Sequence, residues 1–503
     1  MSAYAPEASV DGYARSRERF ESLLAELESA ETAGGTHADL EDLLTERSRE
    51  LTRTVLQDRL DRQAAGEQRR EQVPGADGVV RTRVEKGHER DLATVFGEVT
   101  VTRMAYRAPE AANLFPVDGV LNLPEEKHSH GLRRLAALES ARGSFEQATE
   151  AVERATGVRV GKRQLEQLAR AAAVDVDGFY AQCRPGPRPD TDLLVLTADA
   201  KGIVMVPAAL REATRTAGAG RRNKLATRLS PGEKNGRKRM AELGCVYDAT
   251  PVPRTGSDII AGPGRRPDPK RSRGPVASGK WLTASVTDDI PAVIGQVFDE
   301  ATRRDPQHRR TWVALVDGHR QQIDAITAEA VRRQVTVHIV VDFVHVLEYL
   351  WKAAWSFFYS GDPDAERWVA DQATKLLHGK AADVIAGIRR RATRGGYSAA
   401  ERKGADEAAG YLTSKKAYLG YDRALHAGWP IATGIIEGAC RHIVKDRLDV
   451  TGARWGLTGA EAILTLRALL ANGDFQTYWA FHLEQEHQRV HRSRYQEEFT
   501  LTA

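Results

Sequence analysis

TWVALVDGHRQQIDAITAEAVRRQVTVHIVVDFVH, residues 311–345, decides how this chain reads. A short apolar run, Trp312 to Val316, closes on Asp317 and Gly318. A helix is expected at about 320–333. A second apolar run follows and closes on Asp342. Strand, helix, strand is the unit of an α/β domain. Upstream lie three more strand-like stretches: DLLVLTADAKGIVMV (192–206), MAELGCVYDAT (240–250) and KWLTASVTDD (280–289), with a helix expected at 290–303. Downstream, 343–427 carries helical patterns only. A helix holding Glu437 is expected at 433–448, and the tail 459–495 also reads as helical.

Three strands, helix, strand, helix, strand is the order of a ribonuclease H-like mixed sheet. The expected fold class is therefore multidomain α/β: such a core (191–342, resumed at 428–458), interrupted by an all-α insertion (343–427) and ending in a helical tail (459–503). RPGPRPD, residues 184–190, holds three prolines in seven positions and marks a boundary. Before it the chain reads as a mainly helical DNA-binding region with a small β-hairpin. Phe20, Leu23, Leu24 and Leu27 share one helix face; Leu40, Leu44, Leu51 and Val55 share another. They suggest a helical hairpin within 1–63, serving either local packing or dimerisation. Residues 64–87 read as a linker. ATVFGEVTVTRMAY (93–106), within a segment 88–128, reads as a strand pair turning near Gly97. In 129–183, Ser144 and Gln147 form a capping box, Gly157 ends that helix, and a new one opens at Lys162, Arg163 and Gln164. Helix, short turn, helix with polar residues leading the second is the pattern of a DNA-reading helix-turn-helix, although purely structural helix pairs share it.

Charge is unevenly placed. The whole chain of 503 residues carries a formal +4, yet 191–280 holds 18 Lys and Arg against 8 Asp and Glu. Such a block attracts a polyanion, nucleic acid first. Its densest part is the loop 207–240, which contributes Arg237, Lys238 and Arg239 as DNA contacts. Three distant cysteines and no CxxC pair argue against a disulfide framework and a zinc finger. The N-terminal stretch has no apolar signal-like core, and the longest apolar stretch, 335–359, is broken by His338, Asp342, His345, Glu348 and Lys352. A cytoplasmic, nucleoid-associated protein without a membrane partner is expected.

Three acids stand where an open sheet presents its ligands. Asp199 reads as the end of LLVLTAD, Asp317 ends WVALVD, and Glu437 lies near the start of GIIEGACRHIVKDRL. Either aspartate alone could be a cap or turn residue. Together, in strand order and with a basic block between them, they suggest phosphodiester chemistry. Such chemistry suits two Mg²⁺ ions (or Mn²⁺) about 3.5–4 Å apart on hard oxygen ligands. Asp342 competes with Asp317 but is well explained as a helix cap. With His345 it is assigned a supporting role, beside the alternative that His345 is an ordinary core histidine. Arg441, Lys445, Arg447, Arg454 and Trp455 follow Glu437; an arginine beside an indole can contact a phosphate and stack on a base, though a core role for Trp455 fits equally.

TADAKGIVM, LVDGHRQQI, VVDFVHVLEYLW and TGIIEGACRHIVKDRLDVTGARWGLTGAEAIL resemble, in order and spacing, the ISKra family of bacterial insertion-sequence transposases, which is similar to the wider Mutator-like DDE transposases. The likeness runs from VFGEVTVTRMAYR through the C-terminal helix. It implies a ribonuclease H-like DDE core with a helical insertion between the second Asp and the Glu. By motif, Asp199, Asp317 and Glu437 become the metal-holding catalytic triad, with Ala200 where the family usually has Gly. The expected activity is Mg²⁺-dependent cleavage and strand transfer on terminal inverted repeats and target DNA, by a homodimer or higher oligomer. The rivals are a nuclease or resolvase of the same core that does not join strands, and a non-catalytic DNA-binding derivative.

Overall fold

The computed structural model describes residues 12–29, 32–219, 236–261, 269, 271–450 and 452–501. The chain forms two compact units: residues 1–181 with 475–503, and residues 182–474.

The first unit begins with α1 (Ala14–Leu27) and α2 (His37–Gly66), the latter opened by a Thr36/Asp39 capping box. The stretch read as a linker is structured. It holds a two-stranded ribbon, β1 (Val73–Pro74) with β2 (Val80–Arg81), and the start of β3 (Arg83–Thr94), which pairs antiparallel with β4 (Gly97–Arg107). Its polar composition hid this because its charges are used internally: Arg81, 1% exposed, pairs with Asp77 at 2.6 Å and donates to the Ala112 carbonyl. The short α3 (Pro116–Val120) follows. Then come α4 (His130–Arg142), α5 (Phe145–Thr156), α6 (Lys162–Ala172) and α7 (Val176–Gln182). Leu132, Ala136, Ala148, Val152, Val160, Leu165 and Leu168 close a common core among α4, α5 and α6. Gly157, at φ +72°, ends α5 in the left-handed region where glycine is unstrained.

The second unit holds a five-stranded mixed sheet. In chain order it runs β5 (Leu193–Val204), α8 (Glu212–Ala219), β6 (Lys238–Ala249), α9 (Gly256–Ile259), β7 (Ala277–Ser285), α10 (Ile290–Arg304), β8 (Trp312–Val316), α11 (Arg320–Arg332) and β9 (Val337–Val341). Spatial order is β7-β6-β5-β8-β9; β7, β6 and β5 are antiparallel, and β5, β8 and β9 parallel. The first and fourth strands are thus neighbours. Val195, Leu196, Val313, Ala314 and Leu315 are buried, as central strands require. Helix α10 lies close on the sheet at Gly244, where a Cβ would stand 2.3 Å from Val297.

After β9 come α12 (Phe343–Ala354), α13 (Pro363–Leu377), α14 (Ala381–Arg394), α15 (Lys403–Lys415) and α16 (Tyr421–His426). Small buried residues, Ala405, Ala408 and Ala409, let α15 approach α12 closely. The helix expected at 433–448 is divided: α17 (Gly434–Ala439), a π-helical turn over Cys440–Lys445, and α18 (Asp446–Leu448). Helix α19 (Leu457–Asn472) closes this unit.

The tail is not one element. Helix α20 (Phe475–Val490) belongs to the first unit. There Glu486 pairs with the buried Arg133 at 2.6 Å, Asp175 accepts from His482 and Arg489, and the Tyr478 hydroxyl donates to the Ala172 carbonyl. No helix among the described residues is long and apolar enough to cross a membrane.

Candidate functional site

Strand register brings three aspartates into one row. Thr197 pairs with Leu315, Leu315 with Val340 and Val316 with Val341. Two residues beyond the Thr197–Leu315 pair stand Asp199 and Asp317, and Asp342 continues the row. Asp199 does not end its strand, because β5 runs on to Val204 paired with β6. It marks instead the level at which β8 stops and β5 loses its parallel neighbour.

Asp199 is half-buried. Its Oδ1 accepts from the Ala200 N–H at 2.7 Å, and its Oδ2 accepts from the Cys440 thiol at 3.3 Å. Burial holds the Asp199 carboxyl above its ordinary range; these two donors oppose the shift, and the Asp317 carboxylate adds to it. The first two members of the expected triad therefore share one electrostatic environment. Burial, with the Asp199 charge second, also pushes the Cys440 thiol well up, so it is a donor and not a thiolate.

Asp317 sits in a tight turn. Its Oδ1 accepts from the His319 N–H at 2.7 Å, and its carbonyl accepts from the Tyr411 hydroxyl at 2.7 Å. Gly318, at φ +92°, leaves room for that hydroxyl, which a Cβ would meet at 2.7 Å. Tyr411 stacks on Tyr349 at 3.8 Å between ring centres, and His345 stands edge-on to both. His345 thus supports the tyrosine that holds the Asp317 backbone, while its Nδ1 lies 3.4 Å from Glu348.

Asp342, 1% exposed, is saturated. Oδ1 accepts from the Val344 N–H at 2.5 Å and the His345 N–H at 3.1 Å, capping α12; Oδ2 accepts from the Thr433 N–H at 2.6 Å and from its hydroxyl. The same Thr433 oxygen lies 3.2 Å from Glu437 Oε1. Asp342 therefore anchors the start of α17 through Thr433. Helix α17 packs against β5 and β6, but Glu437 itself is exposed. Among the described residues no three His, Cys, Asp or Glu side chains are grouped closely enough to hold a metal ion. Asp199 and Asp317 form a pair to which Glu437 has not been added.

The expected DNA contacts divide. Arg163, Arg441, Lys445 and Arg454 are exposed. Lys162 is exposed but pairs with Glu146 at 2.9 Å, and Gln164 caps its own helix by accepting from the Gly161 N–H at 3.2 Å. Two assignments are corrected. Trp455 is not a stacking surface: it is 6% exposed, its Nε1 donates to the Leu448 carbonyl at 3.0 Å, and its backbone bonds to Val204 and Val206 at the end of β5. Arg447 is not a phosphate contact: it is 4% exposed, lies 4.8 Å over the Trp455 ring, and burial lowers its pKa to about 10. Most of the basic loop, 220–235, lies outside the described residues. Of its flank, Arg237 is half-buried, Lys238 is 3.6 Å from Asp449, and Arg239 donates to the Val286, Ala209 and Thr287 carbonyls, so Arg239 braces the fold.

Cys440 and Thr433 are the site residues that the strand-end argument misses. Both stand at helical spacing from Glu437, three residues after and four before, which was the available signal. Glu242 is a further one. On β6, 8% exposed, it has its pKa raised to about 7, first by burial, with Asp199 and Asp289 adding and Arg211 opposing. No family model matches the chain, and no curated protein is significantly similar to it.

Proposed function

We propose that this protein is a DNA transposase with a ribonuclease H-like core, cleaving and joining DNA at Asp199, Asp317 and Glu437. The observation that carries the reading is the Asp199–Asp317 pair on adjacent parallel strands, its first member held buried with its proton affinity raised. The strand order β7-β6-β5-β8-β9, with the first-laid strand central, supports the assignment of the core.

The donors fit a hard divalent cation, being carboxylate oxygens. Asp199 and Asp317 would hold it, and Glu437 would complete the set once its contact with Thr433 gives way. Bound there, Mg²⁺ would lower the pKa of the attacking water and neutralise the leaving oxygen. The protein's own part is positioning. The Ala200 N–H and Cys440 thiol orient Asp199, the His319 N–H and Tyr411 hydroxyl fix the turn at Asp317, and Asp342 with Thr433 places α17. Exposed Arg441, Lys445 and Arg454 would meet DNA phosphates beside the acids, and the α5–α6 pair with Arg163 would read the inverted repeats.

The test is incubation with Mg²⁺ and a DNA fragment carrying the sequences that flank the reading frame. Joined products support the transposase. Nicks without joining assign a resolvase-like nuclease, and binding without either assigns a non-catalytic derivative.

A further inference from the structure

In the first unit, one face of the β3–β4 pair changes character along its length. The register sets Leu92 opposite Val99, Arg90 opposite Val101 and His88 opposite Arg103. Alternation along each strand puts these side chains on the same face. Leu92, Val99 and Val101 close a small core with Leu123. Arg90 and Arg103, diagonal neighbours across the strands, line a cavity of about 230 Å³ instead. Its other walls come from α3, the loop after it and the chain that follows α20.

The cavity holds more donors and more positive charge than its own acids use. Arg103, 9% exposed, lies 4.3 Å over the Phe115 ring with its Nε 2.8 Å from Asp118 Oδ1. Half-buried Arg90 meets the chain through Nη2 alone, which donates to the Pro124, Glu125 and Glu126 carbonyls. Among the described residues no carboxylate pairs with Arg90, and its Nε and Nη1 have no partner. Tyr495, 6% exposed, also lines the cavity, and its hydroxyl has no hydrogen-bond partner among the described residues. Buried His491 adds no charge: burial lowers its pKa, and its Nε2 donates to the Leu123 carbonyl at 2.7 Å. Exposed Arg494 and Glu125 pair with each other at 3.1 Å, and Glu67 and Arg70 behind the wall offset each other. What remains is Arg90 and Arg103 against Asp118.

Polar groups withdrawn from water normally find partners within the protein, so a recess with surplus donors calls for an acceptor from outside. An oxyanion supplies both missing things, lone pairs and negative charge. The donors come from three separate elements: β3, β4 and the chain after α20. That spread suits the divergent oxygens of a phosphate better than a planar carboxylate, and guanidinium forks match phosphate geometry. The space also exceeds the roughly 10–15 Å³ that one water needs, so an attached organic group fits, with Pro124 and Val490 as its apolar walls. We propose that this cavity binds the phosphate of a phosphate monoester, with Arg90, Arg103 and the Tyr495 hydroxyl donating to its oxygens. A soluble nucleotide monoester and the 5′-phosphorylated end of a DNA strand present the same group. The inference is independent of the catalytic reading, since every residue it uses lies in the first unit.

The test is calorimetric titration of the full chain in EDTA, so that no metal links a ligand to the acids of the sheet. Two pairs of probes are compared: adenosine 5′-monophosphate with adenosine, and one single-stranded oligonucleotide with and without a 5′-phosphate. In at least one pair the phosphorylated member should bind about tenfold or more tightly than its partner. A preference in the nucleotide pair assigns a soluble monoester; one confined to the oligonucleotide pair assigns a DNA end. Tyr495→Phe, which removes a single oxygen and keeps the ring, should shrink that preference by about tenfold with melting unchanged. Arg103→Lys, which keeps the charge and loses the fork, should shrink it as well. Should Arg103→Lys misfold, Tyr495→Phe keeps the result decisive. Equal binding within both pairs, up to about 5 mM nucleotide and about 0.1 mM oligonucleotide, or a phosphate preference that Tyr495→Phe leaves intact, would overturn the proposal.

Discussion

Asp199 and Asp342 stand in the same row of one sheet, two strands apart, yet their surroundings differ. Asp342 accepts from three N–H groups and a hydroxyl, so both its oxygens are occupied. Asp199 receives one N–H and one thiol, in a half-buried place that disfavours its charge. A carboxylate supplied with every donor it can use is a building element. One left short of donors, beside a second carboxylate, is poised to take a cation or a proton.

Substitution tests this contrast most sharply at Asp199. Asp199→Asn should lower DNA cleavage by about 10³-fold or more while leaving thermal stability unchanged or slightly higher, since a neutral amide suits the site. A comparable loss of stability would make Asp199 structural. Asp342→Ala should do the reverse: stability should fall by about 3 kcal/mol, measured by denaturant titration, because two α12 amides and Thr433 lose their acceptor. An unaffected midpoint would break the contrast.

The same distinction separates the cations. Replacing exposed Arg441, Lys445 and Arg454 together by Ala should cut DNA affinity about tenfold near 0.15 M salt and flatten the log K against log salt slope. Replacing the buried Arg447 should instead lower the melting temperature. A salt slope unmoved by the triple variant would remove these residues from the DNA surface.

The smallest effect concerns pH. Glu242 has its pKa raised from 4.5 to about 7, so the folded state binds its proton more tightly than the unfolded state does. The stability this contributes is complete below about pH 4.5 and lost as pH rises through about 7. Glu242→Gln should therefore match the wild type near pH 4 and exceed it at pH 8 by on the order of 1 kcal/mol, allowing for partial exposure. Parallel stability curves across that range would show that Glu242 is freely solvated.

The strands of the second unit were legible because buried parallel strands need continuous apolar runs, and Val313, Ala314 and Leu315 supply one ending on Asp317. The α5 cap was legible because Ser144 and Gln147 bond only to local backbone. Partners distant in sequence were not legible. Arg454 and Trp455 are adjacent, but Trp455 is claimed by the end of β5, some 250 positions earlier, and only the tertiary fold reveals that. The acids split likewise: position in the strand locates all three aspartates, whereas only the donors around each tell the saturated Asp342 from the donor-poor Asp199. Periodicity found the stripes on α1 and α2 but could not say that Phe20, Leu24, Leu44 and Val55 would stay exposed among the described residues.

Helix α20 makes the first unit discontinuous: it is begun by residues before 182 and finished by residues after 474. During synthesis, Arg133 and Asp175 emerge long before Glu486 and Arg489 exist to neutralise them. At roughly 5–20 residues per second the wait is about 15–60 s, during which the sheet unit can fold first. The half that begins on the ribosome first is thus completed last, and a transcript cut short before α20 would release a protein whose sheet is formed but whose opening half lacks its closing helix.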